Sequence, residues 1–119
     1  MASLNTFGAI LSHAVALESQ LSAWYTRLGE ADKAKAADKR RKKLERVRRE
    51  NVVEITLEPI EGLSADDYAL DLSGDSDAAQ ATAAQIAAAF YADVAPKINV
   101  RAAQRALERC GKEHVKQLI

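Results

Sequence analysis

The chain has 119 residues, 17 basic and 17 acidic side chains and a formal net charge of zero, which sets an expectation of one small domain and removes any bulk attraction to nucleic acid. Hydrophobic residues make up 48% but aromatics only 5%, with five glycines and two prolines, a composition that suits close-packed helices better than strands. One cysteine excludes an internal disulfide framework and a CxxC metal site, and no run of about 18 uncharged apolar residues offers a membrane span; with no positively charged leader pattern, the chain is expected to be cytoplasmic and its N-terminus part of the domain.

The first predicted helix spans residues 4–29. Phe7, Ile10, Ala14, Leu17, Leu21, Trp24 and Leu28 recur at alternating spacings of three and four, one stripe of an amphipathic helix. Ser3 or Asn5 is its expected cap, and Gly29 stands where helices stop. A second helix is predicted over 32–58, ending before Pro59, with apolar residues gathered late at Leu44, Val47, Val52, Val53, Ile55 and Leu57. A third is predicted over 77–95, capped by Asp77, with Ala79, Ala83, Ile86, Phe90 and Val94 on its stripe and Pro96 closing it. A fourth over 99–118, capped by Asn99, buries Val100, Ala103, Leu107, Cys110 and His114. His13 lies off the first stripe and is expected to be exposed, whereas Cys110 reads as a core residue.

Residues 60–76 differ in kind. Glu61, Asp66, Asp67, Asp71 and Asp75 stand there with two glycines and no basic residue. A structureless stretch of this length needs a reason. A helix of about 20 residues is about 30 Å long, and 17 extended residues reach about 55 Å at roughly 3.3 Å each. The segment is long enough to return along the whole bundle, which makes the second and third helices parallel. The predicted fold is all-α: a four-helix bundle of two hairpins joined by a long crossover.

The halves echo each other. Trp24-Tyr25 follows Glu18 in the first helix, Phe90-Tyr91 follows Ala84 in the third, and Arg49-Glu50 and Lys112-Glu113 pair a base with an acid in the second and fourth. With this pattern the chain resembles the ferritin-like superfamily, and within it the small rubrerythrin-like proteins, whose first helix carries a metal-binding glutamate followed by an aromatic-tyrosine pair. That chemistry takes a glutamate from each of two helices and Glu-x-x-His from each of the other two, all pointing inward. The resemblance implies a site built on Glu18, Glu50 and Glu113, with Glu54 one turn from Glu50 and His114 beside Glu113. It is degenerate: Val53 and Lys116 stand where histidines belong, and Ala84 where the third-helix glutamate belongs. At most weak metal binding is expected, with oxygen-rich ligation favouring iron, Mn²⁺, Mg²⁺ or Ca²⁺ over zinc. Glu50 and Glu54 are equally placed to pair with Arg46, and His114, on an apolar stripe, to bond a carboxylate. No Gly-rich phosphate loop or nucleophile motif is present, and whether the chain is an enzyme is left open, with the missing histidines counting against a di-iron oxidase or peroxidase.

Charge is segregated. Ten basic residues stand between Lys33 and Arg49, with Lys39, Arg40, Arg41, Lys42 and Lys43 unbroken, and nine acids follow from Glu50 to Asp77 with no base among them. The run reads either as a solvated face meeting the acidic crossover, or as a surface for an acidic protein partner. Nucleic acid is the lesser alternative, because few aromatics are available for stacking. A small alanine-rich bundle buries little area per residue, so a homodimer through an apolar helix face is also expected. The sequence therefore points to a helical structural or interaction module with a degenerate carboxylate site or, alternatively, to an adaptor working through its basic helix.

Overall fold

A computed structural model describes residue 4, residues 6–51 and residues 63–118. It is all-helical: α1 (Phe7–Arg27), α2 (Ala31–Asn51), α3 (Asp77–Val94) and α4 (Arg101–Lys116) form a four-helix bundle measuring 43 × 24 × 24 Å. No helix among the described residues is long and apolar enough to cross a membrane.

Helix α1 starts at Thr6, whose hydroxyl accepts the amide hydrogen of Ala9 at 3.0 Å. Of the two expected caps, Ser3 and Asn5 both lie outside the described residues. The helix ends in a Schellman turn: the amide of Gly29 bonds to Thr26 and that of Glu30 to Tyr25, at 3.1 and 2.9 Å. Gly29 has φ +78°, the left-handed backbone that this turn demands.

Helix α2 buries the expected Leu44 and extends that contact face back into its polar first half. Its inward positions are Ala34, Ala37, Arg40 and Leu44, with Val47 half-buried. The larger side chains of α1 pack onto these alanines, so α2 contributes backbone proximity rather than bulk. The part of the predicted helix beyond Asn51, with Val52 to Leu57, falls outside the described residues.

Ser76 rather than Asp77 caps α3, its hydroxyl accepting from Ala79 at 3.1 Å. Val100 rather than Asn99 precedes α4, without a side-chain cap. The buried face of α3 is wider than one stripe, because Gln80, Ala84, Ala87 and Tyr91 are buried along with Ala83, Phe90 and Val94.

Contacts fix the helix directions. Ser22 bonds to Ala34 and Arg48 to Ser12, so α1 and α2 are antiparallel. Gln104 reaches the carbonyl of Ala95, and Gly111 lies against Tyr91, so α3 and α4 are antiparallel. His13 lies against Phe90 with the rings tilted, while Trp24 bonds to Gly74, just before α3, so α1 and α3 oppose each other and α2 and α3 run parallel. The connection behaves as a return along the bundle. Tyr68 packs edge-on against Phe90 and donates to Asp93 at 2.7 Å; farther on, Arg27 donates to the carbonyl of Leu72 and Trp24 to that of Gly74. It is not wholly extended, since Ala65–Tyr68 forms a 3-10 turn capped by Ser64.

Candidate functional site: an interior carboxylate held by four helices

Position 18 falls one residue after Leu17 on α1, where the helix turns its side chain into the bundle. Glu18 is 0% exposed. A lone carboxylate in that setting is costly, and burial becomes tolerable only when donors or a counter-charge surround it. Each of the other three helices supplies one. Arg40 of α2, 3% exposed, donates its Nε to Oε1 at 2.9 Å. From α3, Tyr91 donates its hydroxyl to Oε2 at 2.5 Å. His114 of α4 places Nε2 2.9 Å from the same oxygen.

Burial by itself pushes the Glu18 carboxyl up. The His114 bond and charge, the Arg40 charge and the Tyr91 hydroxyl together outweigh it, and the pKa lies below the ordinary glutamate value. An ionised carboxylate only accepts, so Nε2 of His114 is the donor. Burial pushes the Arg40 guanidinium down, but Glu18 and Glu113 more than reverse this. The Tyr91 phenol is driven far above its usual range by burial and by Glu18, which keeps it a hydrogen donor. The Cys110 thiol is pushed up to about 12 by burial and then by Glu18. A thiol so placed is a core residue and not a nucleophile.

Arg40 also links the interior to the surface. Its Nη1 donates to Oε1 of Glu113 at 3.0 Å, and the Glu113 side chain is 44% exposed. The rings of Tyr91 and His114 stack nearly parallel, at 12° and 5.8 Å between centroids. Within this network Nη2 of Arg40 and Nδ1 of His114 are buried without a hydrogen-bond partner among the described residues.

The expected site residues separate into two groups. Glu18, Glu113 and His114 meet around Arg40, directly or through it. Glu50 does not join them: it is 55% exposed on the outer face of α2, bonded to Arg46 one turn away at 2.9 Å. This corrects the expectation of a shared interior spot for Glu18 and Glu50, because residue 50 falls on the solvent side of the α2 stripe. Glu54 and Val53 lie outside the described residues. Ala84 puts a buried methyl where a third carboxylate would stand, and Lys116 points to solvent. The donor set does not fit a two-metal centre, since a guanidinium already supplies the positive charge beside Glu18. Among the described residues no three His, Cys, Asp or Glu side chains come together to hold a metal ion.

The basic run is also corrected at one position. Arg40 is interior, so the expected surface loses its second member. Arg41 is held by Asp38 and Glu45, each at 2.7 Å, and Lys42 by Asp38 at 3.2 Å. Lys39 and Lys43 stay exposed. His13 is not exposed as expected: it is half-buried against Phe90, at 4.9 Å between rings, and burial lowers its pKa.

Sequence reasoning missed Arg40 as the partner of Glu18. The available signal was its spacing of three from Ala37 and four to Leu44, on the alanine stripe of a helix otherwise read as polar. Comparison of the chain with protein-family models, curated proteins and solved structures finds no match. What the fold and site define by themselves is an all-helical four-helix bundle with an ionic centre.

Proposed function

We propose that this chain is a non-enzymatic helical interaction module of the cytoplasm. In this reading it is a ferritin-like bundle whose carboxylate site has become an internal ion pair with at most weak metal affinity. The observation that carries the reading is the closed contact between Arg40 and Glu18 at 2.9 Å. A protein cation there satisfies the carboxylate that a metal would otherwise need, and the charge left for recognition lies on the surface.

That surface is the seam between α2 and α4. Arg40 reaches Glu113 across it. On these antiparallel helices Lys43, one turn after Arg40, and Arg109, one turn before Glu113, come to the same level. Lys39, Lys43, Arg105 and Arg109 are exposed and have no ion-pair partner among the described residues. Such a face suits an acidic protein segment, with attraction that speeds encounter and fades with salt.

The test is fluorescence anisotropy with a labelled glutamate-rich peptide at low and high salt, beside a single-stranded RNA of equal charge. The reading expects peptide binding at low salt that is lost at high salt and lost in the Lys39→Glu/Lys43→Glu/Arg109→Glu variant. Peptide binding that is absent at low salt, or unchanged in the variant, overturns it. Preference for the RNA transfers the face to nucleic acid.

A further inference from the structure

On the side of the bundle away from the crossover, α3 and α4 leave an apolar groove of about 530 Å³ between them. Its floor is set by Gly111. A Cβ built there would lie 2.9 Å from the Cβ of Tyr91, so the two helices approach closely at this point. Ala88 and Ala92 form one wall and Val115 the other. Val115 is 46% exposed; it and Leu118, near the same end of α4, are the exposed large hydrophobic side chains among the described residues. A knob therefore stands next to a hollow on one surface.

The rim carries both signs of charge. Glu108 lies on α4 before the groove floor, and Lys112 and Lys116 follow it. Spacings of four would permit ion pairs along the helix, yet none of the three is paired within the chain among the described residues. Acid and bases are thus displaced along the helix axis, Glu108 from Lys116 by about 12 Å at 1.5 Å per residue.

We infer that this groove is the interface of a homodimer, its occupant the α4 helix of a second copy. A surface that carries both knob and hollow, and both charges in a fixed order, is complementary to itself under a two-fold axis. The axis reverses α4, so that Glu108 of each copy meets Lys116 of the other at both ends. Val115 of each copy enters the hollow over Gly111 of its mate. A partner of one sign would leave either Glu108 or the lysines opposed by like charge, whereas a second copy pairs Glu108 with Lys116 at both ends and leaves only Lys112, at the midpoint, beside its counterpart. The face is separate from the α2–α4 seam, so the dimer stands or falls independently of binding to acidic partners.

Sedimentation velocity across the micromolar range reads the interface, with far-UV circular dichroism confirming that each variant folds. The wild type is expected at twice the 12.9 kDa chain mass. Val115→Asp, an exposed position, is expected at the monomer mass. Glu108→Lys sets two like charges against each other at each end and weakens dimerisation by roughly tenfold or more, and the swap Glu108→Lys/Lys116→Glu restores it. A monomeric wild type overturns the inference. So does a Val115→Asp or Glu108→Lys protein that dimerises as well as wild type, or a swap that fails to recover the dimer.

Discussion

The guanidinium of Arg40 and the carboxylate of Glu18 meet at 2.9 Å in the middle of the bundle, one from each of two antiparallel helices, with almost no access to water. The pair joins α1 to α2, and through Tyr91 and His114 the same carboxylate joins both to the second hairpin. Specificity in such a core comes from geometry. An alanine-rich interior offers few large side chains to fix the register of four helices, whereas one charged group with three directed partners accepts one arrangement.

Removing one member of a buried pair leaves the other charge uncompensated, which costs about 3–5 kcal/mol. Arg40→Met is therefore expected to lower unfolding free energy by about that much, seen as a lower urea midpoint at unchanged slope. Arg40→Lys recovers only part, since an ammonium cannot reach Glu18 and Glu113 in the same fork.

Glu18 also sets a pH dependence. Its folded pKa lies below the ordinary glutamate value of 4.5, so it contributes stability that is present above that value and is lost as pH falls through the lowered folded value. Asp38, half-buried, and Asp71, exposed, are surface carboxylates held down by Arg41 and Ser73 respectively, and act in the same direction. Comparison with Glu18→Gln separates the contributions: the variant is expected to lose less stability between pH 4.5 and strong acid than wild type does. Equal acid sensitivity would assign the dependence to the surface carboxylates.

Tyr91→Phe removes a single hydroxyl from the network and little volume. Hydrogen bonds to charged groups contribute about 1.5–3 kcal/mol, and a loss in that range is expected from equilibrium unfolding. An unchanged stability would mean that Oε2 of Glu18 is satisfied by His114 without the phenol.

Two glycines distinguish space from backbone conformation. Gly111→Ala forces a methyl to within 2.9 Å of the Tyr91 Cβ, which cannot swing away; overpacking of that kind costs about 1–3 kcal/mol. At Gly29 nothing lies within 4 Å, and the φ of +78° alone opposes a side chain. Gly29→Ala is expected to cost about 1 kcal/mol through the left-handed backbone. Thermal unfolding of the two variants ranks them.

How far the sequence revealed this arrangement depends on the kind of signal. Alternating spacings of three and four from Phe7 to Leu28 placed α1 nearly to its ends, and the length of the acidic stretch before Ser76 implied parallel α2 and α3, as the contacts of Tyr68 and Trp24 bear out. Cap identities slipped by one residue at Ser76, because serine and aspartate compete for the same role in adjacent positions. Glu18 was legible as a residue beside an apolar stripe, and His114 as a histidine on one. Arg40 was not, since a guanidinium inside a run of five bases carries no mark of burial until the alanines before it are read as the contact face. Glu50 failed for the converse reason: its neighbours matched a motif, but the rotation of α2 set by Ala34, Ala37 and Leu44 turns it outward.

The most direct measurement is a double-mutant cycle on Glu18 and Arg40, with Glu18→Met, Arg40→Met and the double variant unfolded in urea. If the two groups form the ionic centre, the double variant loses far less than the sum of the singles, with a coupling of about 2 kcal/mol or more. Losses that add to within about 0.5 kcal/mol would contradict the pairing on which the fold's interior and the proposed role both rest.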